Sequence, residues 1–266
     1  MTVLLQVSDP HFGTERPAVM AALARFAQAL RPDLLLVTGD ITQRARPAQF
    51  ARARAFFDRL DVPARLVVPG NHDIPLWALW ARAFDPYGRF VRAFGPALEG
   101  EFERDDLLVI ALNTTRRWRH KQGEVSAAQV ERVARRLAAA RPGQLRLVAV
   151  HQPVAAVTRA DVKNLLRGHE RALHRWAQAG ADAVLGGHIH LPYVLPLAER
   201  WPELARPMWA VQAGTALSRR VRGGVPNSVN VVRAGAGRAV VERWDMDAAA
   251  GEFRPVASTV LREATG

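Results

Sequence analysis

The stretch VVPGNHDIPLW, residues 67–77, sets an amide, an imidazole and a carboxylate side by side directly after an apolar run. Asn71, His72 and Asp73 in that setting form either an ordinary polar turn or one corner of a reactive site, and the stretch alone does not choose. The choice comes from what ends the other apolar runs. VLLQVS (3–8) leads into Asp9, with His11 two places on; DLLLVTG (33–39) leads into Asp40; RLVAV (146–150) leads into His151; DAVLGG (182–187) leads into His188, with His190 two places on. Five separate runs thus deliver a metal-competent side chain at their C-terminal ends.

Between the runs lie Ala-, Leu- and Arg-rich segments with helical spacing, at 17–30, 47–60, 126–140 and 169–179. SAAQVERVARRLAAA shows the period most clearly, with Ser126 as its N-cap. Strands alternating with helices predict an α/β architecture. In an open α/β sheet the C-terminal strand ends form the binding crevice, so parallel pairing would gather Asp9, His11, Asp40, Asn71, His151, His188 and His190 along one edge. The last third reads differently. RPMWAVQAG (206–214), NSVNVVRA (227–234) and RAVVERWDM (238–246) read as successive strands, with AGAG (234–237) as a hairpin turn. They predict a second, mostly antiparallel sheet packed on the first. No linker or repeat interrupts the chain, so 1–266 reads as a single domain, with the metal-site motifs in 1–190 and the second-sheet strands mainly in 191–262.

Composition narrows the chemistry. Nearly half of the 266 residues are apolar, enough for a sizeable core. There is no cysteine, so disulfides and thiolate ligands are excluded and any metal is held by nitrogen and oxygen. No apolar run reaches bilayer-spanning length. The N-terminus enters a strand-like run without a basic leader, so no signal peptide is expected and a cytoplasmic location is the expectation. The net charge of +12 comes almost entirely from scattered arginines and reads as solvated surface rather than a nucleic-acid track.

Each candidate has a bland reading by itself. Asp9 and Gly39-Asp40 alone are turn residues, Asn71 a turn amide, His151 a half-buried core histidine. Taken jointly these readings need independent coincidences at five strand ends. Carboxylate, imidazole and amide donors without sulfur suit Mn, Fe, Zn or Co. Seven donors are too many for one tetrahedral ion and fit two ions sharing a carboxylate, roughly 3.5–4 Å apart, the clamp used in phosphoryl hydrolysis with a metal-bridging hydroxide as nucleophile. His72 then stands beside a ligand and is placed to stabilise the transition state or protonate the leaving oxygen, with Asp73 orienting its ring.

The blocks DPHF (9–12), GD (39–40), GNHD (70–73), the histidine of VAVHQP (148–153) and GGHIH (186–190) resemble, in order and spacing, the calcineurin-like metallophosphoesterases. Within that superfamily, GNHDIP and the compact length look most like the bacterial cyclic-nucleotide phosphodiesterase and glycerophosphodiesterase branch. The resemblance implies a four-layer α/β/β/α sandwich of two mixed sheets flanked by helices. It implies Asp9, His11 and His190 as ligands of one ion, Asp40 as the bridge, Asn71, His151 and His188 as ligands of the other, and His72 as the catalytic histidine. One departure is Gln152, where some relatives carry a second histidine.

The expected function is therefore a binuclear metal-dependent phosphoesterase acting on a small phosphodiester, a cyclic nucleotide or a glycerophosphodiester. The alternatives are a nuclease or nucleotide-lipid pyrophosphatase with the same site and, from another class, a non-catalytic interaction scaffold. A homodimer and peripheral membrane contact are compatible with the chain. The aromatic segment 74–94 reads first as a core-packing helix broken at DPYG; a cap over the substrate and a membrane-surface helix are the other readings. The arginines of RRWRHK (116–121) and SRRVRGG (218–224) read first as solvated, with a phosphate contact as the other reading of the former and a loop reaching the site as the other reading of the latter; Asp33 and Asp182 read as turn residues, and His120, His169 and His174 as surface histidines.

Overall fold

The computed structural model describes residues 1–235 and 237–263. Two six-stranded mixed sheets lie face to face. The first runs β12-β11-β10-β1-β2-β3, where β1 is Thr2–Val7, β2 Leu34–Thr38, β3 Ala64–Val68, β10 Ser228–Gly235, β11 Arg238–Asp247 and β12 Glu252–Arg262. The second runs β4-β5-β6-β7-β9-β8, where β4 is Gly100–Arg104, β5 Leu107–Ala111, β6 Leu145–Ala149, β7 Ala183–Gly186, β8 Tyr193–Pro196 and β9 Trp209–Gln212. β1, β2 and β3 are parallel, as are β5, β6, β7 and β9, while the outer strands pair antiparallel.

Central strands buried on both faces need apolar residues at every position, and alternation then decides which layer each one joins. In β2, Leu34 and Leu36 enter the layer between the sheets, while Leu35 and Val37 face the helices. In β6, Leu145 and Leu147 join that same middle layer and Val148 faces the opposite helix layer. Each such side chain contributes about 1.5–3 kcal/mol by its removal from water. α1 (Pro17–Leu30) and α2 (Pro47–Asp58), each opened by a proline at its first position, cover the first sheet. α5 (Ala127–Ala138) and α6 (His169–Gln178) cover the second. Ser126 caps α5 as expected: its hydroxyl accepts from the Gln129 N–H at 3.2 Å, and the Gln129 carboxamide accepts from the Ser126 N–H at 3.0 Å.

Two expectations change. The late strands do not form the second sheet by themselves. β10, β11 and β12 extend the first sheet, because β10 pairs antiparallel with β1, while β9 joins the second through parallel pairing with β7. The segment 74–94 also differs from a core helix. Its second half, α4 (Gly88–Phe94), buries Phe90 against the α2 layer, but its first half, α3 (Leu79–Phe84), buries none of its residues. The AGAG turn includes Ala236, which lies outside the described residues.

Candidate metal centre

The C-terminal ends of β1, β2 and β3 in one sheet meet those of β6 and β7 in the other. Asp9, His11, Asp40 and Asn71 follow the first set; His151, His188 and His190 follow the second. The crevice is thus the shared rim of two sheets, where a single open edge was expected. Gln6 ties the rims together, donating to the Gly186 carbonyl at 3.1 Å and the Thr38 hydroxyl at 3.2 Å. Two tight turns close the site. A Cβ on Gly70 would lie 2.0 Å from the Asp40 nitrogen, and Gly39 takes φ +89° against it, so both loops need glycine there.

Two donor groups form, Asp9 with His11 and His190, and Asp40 with His151 and His188. His190 Nε2 lies 3.3 Å from Asp9 Oδ1 and 3.0 Å from His11 Nε2. His151 Nε2 lies 3.3 Å from Asp40 Oδ1 and 3.2 Å from Asn71 Oδ1. Asp40 Oδ2 reaches back to 3.8 Å from His11 Nε2, so its carboxylate stands between the groups. All seven expected side chains are therefore brought together.

The imidazoles are aimed from behind. His151 Nδ1 donates to the Thr38 carbonyl at 2.8 Å, and His190 Nδ1 to the Arg220 carbonyl at 2.6 Å, which turns each Nε2 toward the cluster. Asp9 Oδ1 and His188 Nδ1 are buried without a hydrogen-bond partner, which an oxygen- and nitrogen-seeking cation would supply. The backbone is strained at the same places. Asp9, His11, Asp40, His188 and His190, at φ of 49°, 45°, 48°, 73° and 58°, make up five of the eight non-glycine residues with positive φ among those described.

Burial and the mutual charges of the carboxylates and imidazoles set the protonation of the cluster. Burial by itself would raise Asp9, but the positive charge of His190, whose Nε2 lies 3.3 Å away, outweighs it and holds the carboxyl at about 2. Burial would lower His151, yet Asp40 lifts it to about 9. Burial, reinforced by the His151 charge, takes His188 down to about 4. Metal ligation requires the neutral imidazole, so ions entering here would displace protons from His151.

His72 sits beside this cluster. Its Nδ1 donates to the Gln43 carbonyl at 2.9 Å, leaving Nε2 toward the cleft, and its ring lies edge-on to His11 at 4.9 Å. The expected orienting contact from Asp73 is corrected. Asp73 accepts instead from the backbone N–H groups of Ile41 at 3.0 Å, Thr42 at 2.8 Å and Gly70 at 2.9 Å, and from the Thr42 hydroxyl at 2.9 Å. Three converging N–H donors outcompete a ring beside them, and the carboxylate clamps the Asp40 loop to the Asn71 loop.

Arg220, read as solvated, enters the site. Its Nη1 lies 3.3 Å from His11 Nε2 and 3.4 Å from both His72 Nε2 and Gln43 Oε1. Arg222 holds this loop in place through a two-pronged pair with the buried Asp161 at 2.7 and 3.0 Å. His120, read as surface, stands 6.4 Å from the His72 ring. No sequence signal separates Arg220 from its neighbours in SRRVRGG; only the return of the loop from β9 toward β10 does. Gln152 is fully buried and accepts from the Thr114 hydroxyl at 2.6 Å. Asp40, Asn71, His72, Lys121, His188 and Arg220 line a cleft of about 480 Å³.

A family profile described as calcineurin-like phosphoesterase matches residues 2–192. Among curated proteins, the chain is 31% identical over 208 residues to a cAMP/cGMP dual specificity phosphodiesterase of Mycobacterium tuberculosis, covering 71% of this chain and 61% of that protein. It is 27% identical over 167 residues to a probable cyclic nucleotide phosphodiesterase of Rhodococcus erythropolis, covering 62% and 53%. The chain thus spans less than two thirds of the length of either. Among solved structures, the fold is shared with a purple acid phosphatase from yellow lupin seeds, at TM-score 0.73 and 13% identity over 97% of this chain and 53% of that one. It is shared also with a dimetal phosphatase from Danio rerio, at TM-score 0.69 and 14% identity over 98% of each chain. Among the described residues, no helix is long and apolar enough to cross a membrane.

Proposed function

Because the chain belongs to the calcineurin-like phosphoesterase family, we propose that it is a binuclear metal-dependent phosphodiesterase acting on a small diester, a cyclic nucleotide or a glycerophosphodiester. The observation that carries this reading is the meeting of two donor groups at Asp40, with Nε2 of His72, beside Arg220, opening on the same cleft. Asp9, His11 and His190 would hold one ion and Asn71, His151 and His188 the other, with Asp40 shared. The donor set of carboxylate, imidazole and amide suits Mn, Fe, Zn or Co. When bound, such a pair supplies Lewis-acid chemistry: it neutralises phosphoryl charge and acidifies a water to a nucleophile.

The protein's own residues do the rest. Arg220 offers guanidinium N–H groups over the cleft, where a phosphodiester oxygen would accept them. His72, fixed by the Gln43 carbonyl, presents Nε2 to hold a proton and deliver it to the leaving oxygen. Asp73 keeps the Asp40 and Asn71 loops in register and touches no reacting atom. A cleft of about 480 Å³ has the size of a small-ligand site. The names of the two bacterial relatives support a cyclic nucleotide among the diesters.

The test is turnover of bis(p-nitrophenyl) phosphate by protein stripped with chelator and reloaded with Mn, alongside His72→Ala. Loading should switch activity on, and His72→Ala should keep its metal while losing about 10²–10⁴-fold in rate. No hydrolysis by the reloaded wild type would overturn the reading. Wild-type rates from His72→Ala would remove His72 from its role.

A further inference from the structure

The first half of the aromatic segment stands on the surface. Trp77 and Trp80 are each 80% exposed, Phe84 76% and Leu79 70%, and Trp118 on the neighbouring turn is 70% exposed. These groups belong to one structure. Arg82 donates to the Arg119 carbonyl and Arg117 to the Ala83 carbonyl, which ties α3 to the 116–119 turn. Arg117 lies 4.8 Å from the Trp118 ring centre, and Trp80 stacks on Phe84 at 5.6 Å. A helix of six residues that buries none of them gains nothing for folding from two tryptophans and a phenylalanine in its neighbourhood.

The charge around the patch says what covers it. Residues 74–94 and 114–124 together carry seven arginines and lysines against two acidic residues, Asp85 and Glu124, which pair with Arg92 and Arg119 and leave the basic groups in excess. Protruding Trp, Phe and Leu set among guanidinium groups match the headgroup level of an anionic bilayer. There the rings sit at the polar boundary, the basic groups meet lipid phosphates, and no shaped pocket is needed to receive a convex surface. The face also adjoins the cleft, since His120, the residue after that turn, has its ring 6.4 Å from the His72 ring.

We propose that α3 and the 116–119 turn form a docking surface for anionic membranes, which would set the cleft against the lipid headgroups. The test is co-sedimentation of the full chain with vesicles of phosphatidylcholine alone or mixed equally with phosphatidylglycerol. Binding should favour the anionic vesicles by about tenfold or more and fall as salt is raised toward about 0.5 M. Trp80→Ser with Phe84→Ser should lose at least about tenfold in vesicle binding while melting and turning over a soluble diester like the wild type. Failure of the wild type to pellet with anionic vesicles at low salt overturns the proposal. So does equal pelleting of the double variant. So does a concentration-dependent dimer, abolished by the same double variant, in a protein that ignores vesicles: a second copy would then cover the face.

Discussion

Asp73→Asn separates two roles for the carboxylate that ends GNHD. The side chain accepts from four donors, three backbone N–H groups and one hydroxyl, all buried. Asparagine keeps the shape but has one acceptor oxygen, and its NH2 group turns toward donors. About two donors lose their acceptor, at roughly 1–3 kcal/mol each. Part of this is returned. Burial and the negative charge of Asp40 push the Asp73 carboxyl up to about 6 even against its N–H donors, and a neutral amide relieves that repulsion. The net loss is about 2–3 kcal/mol, or roughly 5–10 °C in Tm for a chain of this size. The assay is calorimetry of chelator-treated protein, so that metal binding does not enter, followed by Mn titration of the same samples. Metal affinity should fall about 10–100-fold, because the Asp40 and Asn71 loops lose their clamp. If Asp73 served instead to orient the His72 ring, Asp73→Asn would copy His72→Ala. An unchanged Tm and unchanged Mn affinity, with kcat reduced as in His72→Ala, would refute the clamp.

Arg220→Ala should lower kcat/KM on bis(p-nitrophenyl) phosphate by about 10–100-fold, the worth of one charge-assisted bond, with Arg220→Lys recovering part because it keeps the charge without the fork; steady-state kinetics equal to wild type would place the guanidinium outside the substrate's reach. For the buried Asp161, burial would raise the carboxyl but the Arg222 pair and the Thr158 hydroxyl hold it below its ordinary 3.8. A depressed carboxylate stabilises the fold above the unfolded value of 3.8 and loses that contribution as pH falls through the folded one. Urea unfolding across the acid range should therefore show wild type losing more stability than Asp161→Asn, and parallel curves for the two proteins would sink this assignment.

What the chain alone determined is the part of the molecule that local pattern controls. Apolar runs of strand length, each followed at once by Asp, Asn or His, place the seven candidate donor side chains at strand ends whatever sheet the strand joins, so their meeting in one cluster was legible. The helices were legible for a similar reason, since Ser126 with Gln129 and the prolines at 17 and 47 act within one turn. What only the tertiary structure decided depends on partners far along the chain. Strand β10 pairs with β1 rather than founding a new sheet, because a β-run does not carry the address of its neighbour. Asp73 answers to Ile41 and Thr42, about thirty residues away, and Arg220 to His11 and His72. The tryptophans at 77 and 80 have the composition of core residues, and their exposure follows from the absence of any helix or sheet face over α3 among the described residues. The positive φ at Asp9, His11, Asp40, His188 and His190 belongs to the same class. Asp and His take that conformation more readily than most residues, but nothing in their local sequence requires it, and it appears where the two sheet rims meet.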